Sequence, residues 1–238
     1  MKTKQFLFSA LFLITIALLV NACATAYTPN VVNVPLLNNK TETQISLHAG
    51  MNGTDAQVTY AATKNIGVMV NYSYKNNTSD SSSSFHSHNF IEGGIGYYTV
   101  FSKQGHFELF AGYGMGNVEA LAETSISSSY VNATFQRIFI QPDFGFSSSF
   151  FDIGFSPRVV YVIMKPEQFQ YSSINNFFVE PTGIMRFGFK YFFFTSQVGV
   201  SLPLQTIESS DWFNYNPFIM SFGMQIKLFK IYDQNARY

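Results

Sequence analysis

Few side chains in this sequence could carry chemistry. It holds four His and one Cys, and the densest grouping of ligating types is His86-Ser87-His88. Two histidines at i and i+2 project to the same side of an extended segment and could share a metal ion. Neither a cysteine nor a third histidine stands nearby, and Ser81 to Ser84 mark the surroundings as a polar loop. The simpler reading, a solvated loop, is the stronger one, and no metal or cofactor is expected. Hydrolytic parts exist in two combinations: His48 with the acids that would face a barrel lumen, and His86 with Asp80 and Ser87. Neither grouping has a recognisable nucleophile–base spacing, so no catalytic residue is assigned and the chain is read as non-enzymatic.

The charged residues are more informative than the histidines. Only 12% of the chain is charged, about half the ~25% usual in a soluble domain. Aromatic residues reach 18%, with 27 Phe and 14 Tyr against one Trp. The formal net charge is zero, which leaves no basic footprint for nucleic acid. Nine charged residues nevertheless fall inside otherwise alternating segments: Glu92, Glu108, Arg137, Asp143, Asp152, Arg158, Glu180, Arg186 and Lys227.

Residues 1–22 read as an export signal. Lys2 and Lys4 precede an apolar stretch from Phe6 to Val20, too short for a comfortable membrane span. The only cysteine follows in Leu19-Val20-Asn21-Ala22-Cys23, which resembles the lipobox of bacterial lipoproteins. The resemblance implies lipidation at Cys23. Ordinary cleavage after Ala24 or Ala26 is the rival, since Ala22-Cys23-Ala24 and Ala24-Thr25-Ala26 both fit A-x-A. Residues 23–41, rich in Asn, Pro and Thr, read as a periplasmic tether.

From residue 42 to 238 the dominant period is two. Ten candidate strands fall at roughly 43–51, 56–63, 66–75, 89–101, 106–115, 133–146, 150–162, 177–188, 192–202 and 217–229. After the first, the spacers alternate. Thr63-Lys64-Asn65, Ser102 to Gly105, Ser147 to Ser149 and Phe189-Lys190-Tyr191 are tight; Asn76–His88, Gly116–Asn132, Lys165–Asn176 and Pro203–Asn216 are long and polar. Short turns on one side and long loops on the other, with an even strand number, match a transmembrane barrel. The expected fold is therefore all-β: a closed, antiparallel, up-and-down transmembrane β-barrel of about ten strands, with both barrel termini on the periplasmic, short-turn side.

The strand faces decide which way the barrel turns. Phe218, Met220, Phe222, Met224, Ile226 and Leu228 share one face of the last strand, opposite Ile219, Ser221, Gly223, Gln225 and Lys227. A soluble, lipid-tethered barrel binding an apolar ligand would put the large apolar faces inside; this is the alternative reading. Facing lipid, each basic residue among the nine would cost ~2–4 kcal/mol near the midplane and each acid somewhat less, and the sum over all nine exceeds the ~5–15 kcal/mol stability of a typical domain. A membrane barrel must therefore place them in its lumen, where five acids and four bases nearly neutralise one another and fill a narrow interior. Tyr60, Tyr72, Tyr74, Tyr97, Tyr113 and Tyr161 on the apolar faces suit interfacial girdles.

With these features the chain resembles the small outer-membrane β-barrel proteins of Gram-negative bacteria, in particular the lipobox-bearing, Phe/Tyr-rich kind found in Bacteroidetes-like bacteria. The resemblance covers about residues 40–238 and rests on pattern. It implies outer-membrane lipid and the barrel assembly machinery as partners. Such barrels usually end on an aromatic residue. Tyr238 is one, but Asp233 to Arg237 interrupt the alternation, which moves the expected assembly signal to Phe222–Phe229. Outer-membrane hydrolases of this size are a further alternative. Trp212, Phe213 and Tyr215, in a loop on the long-loop side, are the candidates for contact with an external glycan or protein.

Overall fold

The computed structural model describes residues 25–77, 85–102, 104–123, 128–168, 172–189, 191–205 and 213–228. The strands are β1 (Thr43–Gly50), β2 (Gly53–Ala61), β3 (Ile66–Asn77), β4 (Phe85–Val100), β5 (Gly105–Glu123), β6 (Ser128–Ser147), β7 (Phe151–Pro166), β8 (Ile174–Phe189), β9 (Phe192–Val200), β10 (Leu202–Pro203) and β11 (Phe218–Leu228). Each long strand pairs antiparallel with its chain neighbour, and β11 pairs with both β9 and β1, which closes the barrel. Among the described residues ten long strands form the wall. The two-residue β10 resumes the β9 register against β8, as Leu202 faces Val179 where Gly199 faces Thr182. Ladder pairing lapses opposite Pro181 and again between Pro142 and Pro157, where proline has no N–H to give.

Strand ends at the long-loop mouth depart from expectation. β3 and β4 reach Asn77 and Phe85, and β5 and β6 reach Glu123 and Ser128. Stretches read as long polar loops are thus largely paired strand. His86-Ser87-His88, expected in a solvated loop, stands on β4. The reason is physical: beyond the apolar belt the outward positions become Asn117, Glu119, Asn132 and Lys165, and a strand that faces water on that side loses its apolar alternation without losing its ladder.

Below that edge the outer wall is apolar. Ile45, Leu47, Val70, Ile95, Met115, Ile140, Phe155, Met185, Val198, Phe222 and Met224 are among the exposed side chains. Among the described residues no charged side chain interrupts this surface between the two rims. Along β5 it runs from Phe107 to Met115, which at ~3.4 Å per residue and a tilt of ~40° is roughly 20 Å. Tyr60 and Tyr97 lie toward its short-turn edge; Tyr72, Tyr74, Tyr113 and Tyr161 lie toward the other. The inner wall is thin where rings must fit. Gly94 and Gly112 are cross-strand partners, and a Cβ on either would meet the Phe139 ring.

Residues 25–41 are not a tether outside the barrel. Ala26, Tyr27, Val31, Val32, Val34, Leu36 and Leu37 are all buried at 3% exposure or less, because this segment runs through the lumen as an extended plug. The missed signal was the absence of charge between Gln5 and Asn39 together with the apolar run Val31-Val32-Asn33-Val34-Pro35-Leu36-Leu37. A solvated linker has no use for such a run; a narrow lumen does.

Candidate functional site, the occupied lumen

The nine charged residues all point into the lumen and are buried, and the plug sorts them into tiers. In the middle tier β4, β6, β7 and β8 bring Glu92, Arg137, Arg158 and Glu180 together. Arg137 pairs with Glu92. Arg158 donates through Nε to Glu180 at 2.8 Å, and its Nη2 lies 2.6 Å from the same carboxylate; its Nη1 sits 3.5 Å from Glu92. Two acids and two bases make this quartet neutral. Asn30 of the plug ties it together: its side-chain oxygen accepts from Arg137 at 2.6 Å and Arg158 at 3.0 Å, while its Nδ2 donates to Glu92 at 3.0 Å. The Tyr27 hydroxyl donates to Glu180 at 2.9 Å, and the Arg137 guanidinium lies 4.4 Å over the Phe90 ring.

Toward the short-turn mouth two of the remaining charges, Glu108 and Arg186, hold main chain. Glu108 on β5 accepts from the Leu36 N–H at 3.0 Å and the Leu37 N–H at 2.6 Å. Two successive amides can converge on one carboxylate because Leu36 adopts a left-handed backbone, φ 54°, the geometry of an anion-binding nest. Asp143 faces Glu108 across the β5–β6 ladder and accepts from Gln141 at 2.9 Å. Lowest of all, Asp152 meets Lys227 at 2.6 Å and Arg186 at 3.4 Å. Arg186 also donates to the Val34 carbonyl and, at 3.5 Å, to that of Pro35.

Uncharged side chains complete the grip, and charge patterning gave no sign of them. Gln197 both accepts from the Val32 N–H at 3.2 Å and donates to its carbonyl at 2.7 Å, as a neighbouring strand would. Gln57 donates to the Val31 carbonyl at 2.8 Å and Gln141 to that of Asn33 at 2.6 Å. The Asn33 side chain donates to Thr59 and Asn71. Inward glutamines are legible in the sequence only once the lumen is known to contain a backbone for them to bind.

The other predicted residues lie as follows. Cys23 and Trp212 are outside the described residues, as are the export signal and the end of the chain with Tyr238. Phe213 is buried at 7% exposure, and Tyr215 stacks edge-on against Phe178 at 5.5 Å. Tyr215 also forms a parallel bridge with Tyr27. Phe213 is thus turned inward, and the half-buried Tyr215 covers the plug's end. The Ser73 hydroxyl is 3.2 Å from His88 Nε2, and His88 Nδ1 is 2.8 Å from His86 Nε2. Ser73 and His88 are buried. Among the described residues no group of three His, Cys, Asp or Glu is arranged to hold a metal.

Fold and lumen together define a closed ten-stranded barrel with an apolar outer wall and a polar interior occupied by its own chain. No family model and no curated protein matches the sequence. Among solved structures, the chain is similar to the translocator domain of the autotransporter NalP from Neisseria meningitidis. That match has a TM-score of 0.46 and 8% identity, and covers 78% of this chain and 85% of that one.

Proposed function

We propose that this chain is a non-enzymatic outer-membrane β-barrel, closed by its own N-terminal segment, with a structural or surface-interaction role exercised at its long-loop mouth. The observation that carries this reading is the sorting of charge: the nine charged residues named above and Asp55 of β2 are buried on the inner face, and the outer belt of Phe, Tyr, Met, Ile and Val is without charge among the described residues. Water would favour the opposite arrangement, and a bilayer requires this one. A soluble barrel binding an apolar ligand would need the faces exchanged and the interior free; here the plug fills it. A folded barrel in the outer-membrane fraction should show heat-modifiable gel mobility. Met224→Arg, at mid-height of the outer face of β11, tests the environment directly. In lipid it destabilises by ~2–4 kcal/mol, whereas on a solvated surface the change is within ~0.5 kcal/mol. Unchanged stability of that variant, or release of the protein by carbonate without detergent, would refute the reading.

A further inference from the structure

We infer that the plug threads the lumen with a fixed polarity, from Thr25 at the long-loop mouth to Leu37 at the short-turn mouth, so that Thr25 is held on the same side as the long loops. The plug's direction can be read from its contacts at both ends. At one end the Ala26 and Tyr27 N–H groups donate to the Asn214 carbonyl at 2.8 and 3.0 Å, and the Asn216 N–H donates to the Tyr27 carbonyl at 2.9 Å. Thr25 main chain lies beside His86, at the long-loop end of β4. At the other end the Leu37 carbonyl is 3.2 Å from His106 Nδ1, at the start of β5, and the Thr41 N–H donates to Ala61, at the end of β2, at 2.8 Å. Both of those are at the short-turn mouth, where β1 must begin beside Tyr60 and Leu228.

Between these ends the segment does not turn back. From Tyr27 to Leu37 an extended chain covers ~33–36 Å, close to the ~30 Å hydrocarbon thickness of a bilayer. One pass of the lumen uses all of it. The chain then reverses at Asn38–Thr41, where Thr41 takes φ 68°, and enters β1.

The wall holds this path mainly by its main chain. Gln57, Gln197, Gln141, Arg186, Glu108 and His106 address the N–H or carbonyl groups of Val31 to Leu37. Side-chain identity is read at Tyr27, Asn30 and Asn33. A conduit of this kind fixes the route and direction of the segment from Thr25 to Leu37. The presentation of Thr25 at the cell surface rests on the proposed outer-membrane reading; the route through the lumen does not.

The test is a protease-cleavable peptide tag inserted between Ala24 and Thr25, compared with the same tag in the 167–173 loop and in the 62–65 turn. In intact cells, added protease should cut the first two tags and spare the third until the outer membrane is permeabilised. If the tag before Thr25 behaves like the turn tag while the loop tag is cut, the inference is overturned and the outer-membrane reading stands. If the turn tag is cut and the loop tag spared, presentation on the surface is wrong. A protein found soluble would end the outer-membrane reading alone, and the route is then decided by a second variant. In a Cys23→Ser background, Tyr27→Cys with Tyr215→Cys places two thiols at bridged positions, within the Cα separation a disulfide needs. Oxidation should give a reducible mobility shift in the folded protein. Free thiols in a barrel that retains heat-modifiable mobility would overturn the threaded route.

Discussion

The middle and lower tiers of the lumen use the same residue types for different ends. In the middle tier the wall supplies a neutral quartet, Glu92, Arg137, Arg158 and Glu180, and the plug supplies a side chain, Asn30, that accepts from both arginines and donates to Glu92. In the lower tier Asp152 faces two cations, Arg186 and Lys227, and the surplus positive charge is directed at plug carbonyls. Charge that is balanced within the wall recognises a side chain; charge left over recognises a backbone. The middle tier therefore fixes the register of the plug, and the lower tier fixes only its course.

The largest expected effect is in the middle tier. Arg158→Ala removes the partner of Glu180 in a site with no exposed surface, leaving a buried carboxylate without its ion pair. Such losses cost ~3–5 kcal/mol. Urea unfolding of the detergent-solubilised barrel should show a large drop in midpoint, with the plug loosened before the wall. A small change would mean that water reaches the quartet and that the tier is not closed.

Asn30→Ala should come next. It leaves all four charges in place but removes their common bridge, three hydrogen bonds to charged groups. Each such bond contributes ~1.5–3 kcal/mol, and because Arg137 and Arg158 keep their carboxylates the net loss should stay near ~2–3 kcal/mol by the same measure. The variant should also make the tag before Thr25 more open to protease on the long-loop side, as register is lost. An Asn30→Ala barrel with unchanged stability and unchanged tag exposure would show that the quartet does not set register.

The wall was far more legible in the sequence than what it encloses. Period two in β11, the inward placement of Arg137 and Lys227, and tight turns such as Thr63-Lys64-Asn65 follow from the pleat and from the expense of charge in lipid. All of them are local patterns. The upper ends of β4, β5 and β6 were missed because their outward residues turn polar once they leave the belt. The plug was missed for another reason. Asn30 and Asn33 read as linker residues until they are set against Glu92 and Asn71, and those contacts span 62 and 38 residues of chain. A pairing at that distance leaves no period behind. The partners of Tyr215 were illegible in the same way, since the ring that it covers, Phe178, and the segment it bridges, at Tyr27, are remote in sequence.

The smallest effect belongs to the lower tier and tests the contrast most sharply. Arg186→Met keeps the length and packing of the side chain while removing its guanidinium. Asp152 is not stranded, because Lys227 remains at 2.6 Å and Ser147 donates to it at 2.7 Å. What is lost is the donor to the Val34 and Pro35 carbonyls, so the cost should be that of buried acceptors losing a partner, ~1–2 kcal/mol. A second change, Lys227→Met, would then remove the last cation from Asp152. The double variant should lose more than the sum of the singles, because only together do they leave the carboxylate unpaired, at ~3–5 kcal/mol. In the middle tier Glu180 has Arg158 as its one ion-pair partner among the described residues and otherwise only the Tyr27 and Ser201 hydroxyls: Arg158→Ala alone already reaches that figure. If Arg186→Met proved as damaging as Arg158→Ala, with the pair of changes merely additive, the lower tier would be a closed ion cluster like the one above it. The division between reading a side chain and reading a backbone would then fail.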